Sequence, residues 1–179
     1  MFKNKEKLAK FAIEYYFYNK QEPDIKENQV SPYLRKIIPC FVTLYIDNKL
    51  RGCIGNYSTD QPLFKNIIEN AIKSAFFDFR FPQLSKNELQ KLKINVSCLT
   101  PLKKLNLKDK DKIIKYLNKY KPGLLIKSSF NIALFLPQVW VQLPNAKDFL
   151  SELCLKAGLS SNYWEKNKCD LQYFTFKTF

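Results

Sequence analysis

Between Leu63 and Phe79 the apolar residues fall on Leu63, Phe64, Ile67, Ile68, Ala71, Ile72, Ala75, Phe76 and Phe79. That spacing is the period of an α-helix with a broad apolar face. A face this wide has to be buried along its length, so the rest of the chain must supply layers that cover it. Thr59 or Asp60 is placed to cap the helix, Pro62 falls in its first turn, and Phe81-Pro82 stops it.

The flanking segments are strands and shorter helices. Leu8, Phe11, Ala12, Tyr15 and Tyr16 recur at helical spacing and predict a first helix over about 4–19. Residues 40–46 are β-branched and aromatic. Asp47-Asn48-Lys49 makes a turn, and 50–55 return as the second arm of a hairpin. Ser85-x-x-Glu88 is a capping box for a short helix, 94–99 alternate as a strand, and 111–120 are helical. Residues 123–127 and 132–136 form strands around Ser129-Phe130-Asn131. A helix from Ala146 to Ala157 starts at Asn145 and ends at Gly158, and 171–178 form a last strand. Hairpin, helix and strand thus occur twice in order. The expectation is one α+β domain over 1–179, with two lobes and an internal duplication carried by element order alone.

Charge is uneven. The formal net charge is +14, and residues 61–121 alone carry 14 basic and 5 acidic side chains. The basic run from Lys86 to Lys121, with Lys103, Lys104, Lys108 and Lys110 at its centre, is the footprint a nucleic-acid surface would leave. A solvated lysine surface leaves the same footprint. Only Arg35, Arg51 and Arg80 are arginines, and lysine lacks the planar fork that clamps phosphates and bases bidentately.

Histidine is absent, which excludes a Ser-His-Asp triad, a Cys-His dyad, His-ligated zinc and an imidazole base. The five cysteines, Cys40, Cys53, Cys98, Cys154 and Cys169, are scattered, with no Cys-x-x-Cys pair. The residues imply no metal and no cofactor. Charged side chains interrupt every apolar run well short of a membrane span, and the N-terminal segment reads as an amphipathic helix rather than a secretory leader. A cytoplasmic address with thiols kept reduced is therefore expected.

Glycine is scarce: Gly52, Gly55, Gly123 and Gly158 are all there are. Two of them flank Cys53 in Arg51-Gly52-Cys53-Ile54-Gly55. Strand alternation puts Arg51 and Cys53 on one face, where the guanidinium would favour the thiolate and the glycines would leave room for a ligand. An ordinary buried thiol beside a hairpin bend is the other reading. Asp78 and Arg80 follow the long helix and read either as an ion pair at its end or as site residues. If Gly52 admits a ligand to the backbone, Gly52→Ala should fold nearly normally and lose function.

Six segments together resemble the AMMECR-type domain family. They include Leu50-Arg51-Gly52-Cys53-Ile54-Gly55, Ser74-Ala75-Phe76-Phe77-Asp78-Phe79-Arg80-Phe81-Pro82, Ile94-Asn95-Val96-Ser97, Leu99-Thr100-Pro101-Leu102, and residues 133–140 and 149–159. One position departs: Phe79 stands where the family usually has proline, which loosens the turn but keeps both charges. The resemblance implies an α+β fold with two similar halves around one barrel-like, mainly antiparallel sheet, and a cleft lined by the Arg-Gly-Cys segment. It also implies company with a Memo-type protein and a radical S-adenosylmethionine enzyme. Whether the chain is itself an enzyme stays open. If it is, Cys53 is the nucleophile or ligand thiolate, Asp78 the candidate base, and Arg51, Gly52, Gly55 and Arg80 the ligand-binding residues. The alternative is a non-catalytic nucleic-acid-binding or scaffold module that uses the basic region.

Overall fold

A computed structural model describes residues 1–107, 109–166 and 169–176. The chain divides into two compact units, one of residues 1–100 with Phe176, the other of residues 101–175. The first opens with helix α1 (Lys5–Asn19), whose Asn4 side chain accepts the Lys7 N–H as N-cap. Strands β1 (Cys40–Ile46) and β2 (Lys49–Gly55) form a hairpin. Its turn residues Asp47 and Asn48 both take positive φ, 51° and 62°, the geometry that suits a tight two-residue connection between twisted strands. Helix α2 (Leu63–Phe76), the short α3 (Lys86–Leu89) and strand β3 (Lys93–Cys98) complete the unit.

β3 pairs antiparallel with β1, giving the order β2-β1-β3. α1 and α2 cover one face of this sheet. Leu8, Ile13, Leu34, Val42, Leu44, Phe64, Ile67 and Val96 fill the layer between them. Burying such side chains is the main favourable term, roughly 1.5–3 kcal/mol each.

The second unit repeats the plan. Helix α4 (Lys110–Tyr120), capped by Asp109, precedes the hairpin β5 (Gly123–Ser128) and β6 (Asn131–Phe135). Helix α5 (Ala146–Lys156) and strand β7 (Asp170–Phe174) follow. β7 returns beside β5 as β3 returns beside β1, and the two-residue strand β4 (Lys103–Lys104) adds outside it, so the order is β4-β7-β5-β6. Trp140 stacks on Phe149 at 3.9 Å and donates its indole N–H to Pro122 O.

Four expectations change. The strands form two antiparallel sheets, not one barrel-like sheet, because the closing strand of each half pairs with the first strand of its own hairpin. The N-cap of α2 is Pro62 itself, with no side-chain cap, while the Thr59 hydroxyl accepts from Gln61 N–H and donates to Asn66 Oδ1. α2 ends at Phe76, so Phe79 is 95% exposed on the following turn instead of belonging to the apolar face. The last strand stops at Phe174, and Thr178 lies outside the described residues. Among the described residues no helix is long and apolar enough to cross a membrane.

Candidate functional site

β2 is an outer strand, so among the described residues one edge of its backbone has no neighbouring strand. Cys53 sits on it opposite Thr43, with its thiol 3.3 Å from the buried Thr43 hydroxyl. The Cys53 N–H donates to Asp78 Oδ2 at 2.9 Å, and the Cys53 carbonyl accepts from Arg80 Nη2 at 3.1 Å. Asp78 and Arg80 therefore offer the edge the acceptor and donor that another strand would offer.

The two side chains also hold each other. Arg80 Nε donates to Asp78 Oδ1 at 2.8 Å and Nη2 to Oδ2 at 2.6 Å, a bidentate pair. The Asp78 side chain is 1% exposed and that of Arg80 44%. Arg80 holds the Asp78 carboxyl below its usual range, outweighing the burial that opposes ionisation, and Asp78 raises Arg80 in return. The turn that positions them closes without a proline. Asp78 O accepts Phe81 N–H, and Asp78 Oδ1 accepts Arg80 N–H.

α2 carries this turn to the sheet edge through a polar stripe within its apolar surface. The amides of Asn66 and Asn70 donate to the carbonyls of Ile38 and Cys40, and the Ser74 hydroxyl donates to that of Val42. Four residues of helix rise about 6 Å and two of strand about 6.8 Å, so the two rows stay in step. Ser74 Oγ also accepts the Ile54 N–H, placing a hydroxyl between β1 and β2 where a direct ladder bond would run. The spacing 66, 70, 74 of small polar residues is the sequence signal for this stripe, overlooked among the apolar positions around it.

The Arg-Gly-Cys segment is built differently from the expectation. Leu44 pairs with Gly52 and Tyr45 with Leu50, which leaves Arg51 as the extra residue of a β-bulge and breaks the alternation through it. Arg51 is 8% exposed. It donates from Nε to Glu88 Oε1 at 2.7 Å and from Nη2 to Pro82 O and Glu88 Oε2. None of these bonds goes to Cys53. Arg51 pulls the Glu88 carboxyl down to about 2, and Glu88 also accepts from Ser85, the expected capping box. Arg80 is a cation bonded to Cys53, through the backbone carbonyl.

Neither glycine leaves space for a ligand. A Cβ on Gly52 would overlap the Ser74 carbonyl oxygen, and one on Gly55 would overlap the Phe41 ring and the Cys40 carbonyl. Their lack of a side chain lets α2 and β1 pack closely. Asp78 has both oxygens engaged and a lowered pKa, which suits an anchor better than a base working near neutrality.

A cleft of about 490 Å³ opens beside Ile54, the residue after Cys53, lined by Tyr16, Glu22, Ile54, Ile72, Lys73 and Phe77. The five cysteines are thiols. Cys40, Cys98 and Cys154 are buried, whereas Cys53 and Cys169 are half-buried. Burial pushes the Cys40 thiol up to about 12. Among the described residues no group of three or more acidic or cysteine side chains is arranged to hold a metal ion.

The basic run is divided between the units. Lys86 lies in the first, Lys103, Lys104 and Lys110 in the second, and Lys108 lies outside the described residues. Lys103 and Lys104 form β4 with exposed side chains. Lys104 approaches Asp170 at 3.7 Å and Lys110 approaches Glu165 at 3.9 Å, both weak surface pairs.

Comparison with known proteins gives one answer. The AMMECR1 family model matches residues 6–179. A Methanopyrus kandleri protein is 34% identical over 177 residues, covering 97% of this chain and 84% of its own length. A Nanoarchaeum equitans protein is 34% identical over 180 residues, covering 98% of each. The crystal structure of an uncharacterised protein from Pyrococcus horikoshii matches with a TM-score of 0.88 at 32% identity, over 96% of this chain and 87% of that one.

Proposed function

Because the chain belongs to the AMMECR1 family, we propose that it is a thiol-centred accessory enzyme for a small anionic substrate, with Cys53 as its functional group. The observation that carries this reading is the clamp of Asp78 and Arg80 on the Cys53 backbone. It fixes the half-buried thiol at a sheet edge and sets a half-exposed guanidinium beside it. A held thiol next to a cation is the setting in which cysteine acts as a nucleophile or ligand.

Arg80 spends Nε and Nη2 on Asp78 and Cys53, and its Nη1 is the donor left to meet an anionic group. Asp78 is the positioning residue that orients Arg80 and the strand. Arg51, Gly52 and Gly55 support the shape of the site from behind. With no histidine in the chain, proton transfer falls to the substrate, to water or to a tyrosine. The company of a Memo-type protein and a radical S-adenosylmethionine enzyme, in a reducing cytoplasm, is part of the same proposal.

Alkylation of the folded protein by iodoacetamide at pH 7, mapped by mass spectrometry, tests it. Cys169 is the fair comparison, since it too is half-buried. Cys53 is expected to react several-fold faster, and Arg80→Ala to remove that advantage. Equal rates at Cys53 and Cys169 would end the reading.

A further inference from the structure

The second unit carries a surface the thiol site does not use. On α4, Tyr116 and Tyr120 are four residues apart and lie on one line of the helix. Their ring centroids are 4.8 Å apart, and Tyr173 of β7 meets Tyr116 edge-on at 5.6 Å, so three aromatic rings follow one another in contact. Tyr120 is 57% exposed, whereas Tyr116 and Tyr173 are half-buried against the core of the unit and support it. Lysines border the row. Lys112 precedes Tyr116 by one turn, Lys115 and Lys119 form the adjacent line of the helix, and Lys103 is paired with Tyr173 across the sheet. Lys119 Nζ lies 5.0 Å from the Tyr120 ring centroid. Lys103, Lys112, Lys115 and Lys119 are all exposed.

We propose that this tyrosine row with its lysine border binds single-stranded nucleic acid with little base preference. Tyr120 offers the exposed ring for an unpaired base to stack on, any base serving because each has a π-face, while lysines track the phosphates as point charges. Base reading is not expected, because the second unit contains no arginine: Arg35, Arg51 and Arg80 all belong to the first. An anionic membrane would also attract the lysines. Membrane-binding faces, however, press leucine, phenylalanine or tryptophan into the acyl boundary, and this row presents tyrosines whose hydroxyls stay polar.

The test is fluorescence anisotropy of the full chain with labelled dT20, between 50 and 200 mM salt, beside the same strand annealed to dA20 and vesicles with one-third phosphatidylserine. Neutralising roughly three or four phosphates predicts a log–log salt slope of about −2 to −3. Tyr120→Ala is expected to weaken dT20 binding about ten-fold and Tyr120→Phe to preserve it, since the loss of one stacked base costs roughly that factor. Lys119→Glu, at an exposed position, is expected to weaken binding and make the salt slope shallower. Unchanged melting of each variant shows that these losses belong to binding. Absence of dT20 binding at 50 mM salt, a duplex bound as tightly as the single strand, an unaffected Tyr120→Ala, or vesicles preferred over dT20 would each overturn the proposal.

Discussion

Gly52, one of four glycines in the chain, lies on β2 where α2 comes closest to the strand. Its rarity signals a backbone need, and a ligand is one such need, but the need here is the approach of α2: a Cβ would overlap the Ser74 carbonyl. Gly52→Ala is therefore expected to destabilise by about 1–3 kcal/mol, because backbone must move to admit the methyl. For a chain of this size the melting temperature falls by several degrees, measurable by circular dichroism. Phe79 makes the opposite case. It occupies the second position of the Asp78–Phe81 turn, which closes with an i to i+3 bond, and proline is favoured there. Phe79→Pro is expected to raise stability by about 0.4–1 kcal/mol by narrowing the unfolded ensemble, and to leave Cys53 alkylation unchanged. A lower melting temperature would mean that the turn needs a backbone angle proline forbids. Cys53, Asp78 and Arg80 were legible as candidates from composition and spacing. Their union was not, since nothing local says that residues 78 and 80 bond to the backbone of residue 53. Arg51 went wrong for a local reason, the bulge that interrupts alternation.

At the scale of elements, most of the fold was readable. The strand at 40–46, the Asp47-Asn48 turn, the Ser85–Glu88 box, the Asn145 cap and the Gly158 stop all appear where period and capping chemistry put them. What periodicity missed is the inner chemistry of α2. Counting apolar positions identifies the helix but passes over Asn66, Asn70 and Ser74, which are buried and bonded to three alternate carbonyls, those of Ile38, Cys40 and Val42, along β1 and the residues leading into it. These contacts set the height of α2 along β1, and so the position at which its C-terminal turn delivers Asp78. Ser74→Ala is expected to cost about 1–3 kcal/mol by removing the hydroxyl that bridges Ile54 N–H and Val42 O. Hydrogen exchange at the Ile54 amide should accelerate, while amides of β5 in the other unit keep their protection. If Ile54 exchange stays as slow as before, the two strands have closed on each other and the hydroxyl is dispensable.

Across the whole molecule, one charge imbalance meets two cation–carboxylate pairs that each have one partner buried, Arg51 in one and Asp78 in the other. Thirty basic side chains face sixteen acidic ones, so protonating carboxylates in acid removes attraction and adds to self-repulsion. Within the first unit, Glu88 is held down to about 2 by Arg51, and Asp78 is held below its usual range by Arg80. A carboxyl whose pKa is lower in the folded state contributes stability that is present in full above its unfolded pKa. That contribution is lost as the pH falls toward the folded value, which for Glu88 sets a window from about 4.5 to about 2. The chain is thus expected to melt at steadily lower temperatures through this window. Glu88→Gln provides the control, because glutamine cannot ionise and leaves the buried Arg51 guanidinium without its counter-charge. At pH 7 the variant should melt below wild type. As the pH approaches 2, Glu88 itself becomes neutral and the two melting curves should converge. A gap that stays constant from pH 7 to pH 2 would show that Glu88 acts through packing and its Ser85 hydrogen bonds, with its charge contributing nothing to the hold on Arg51.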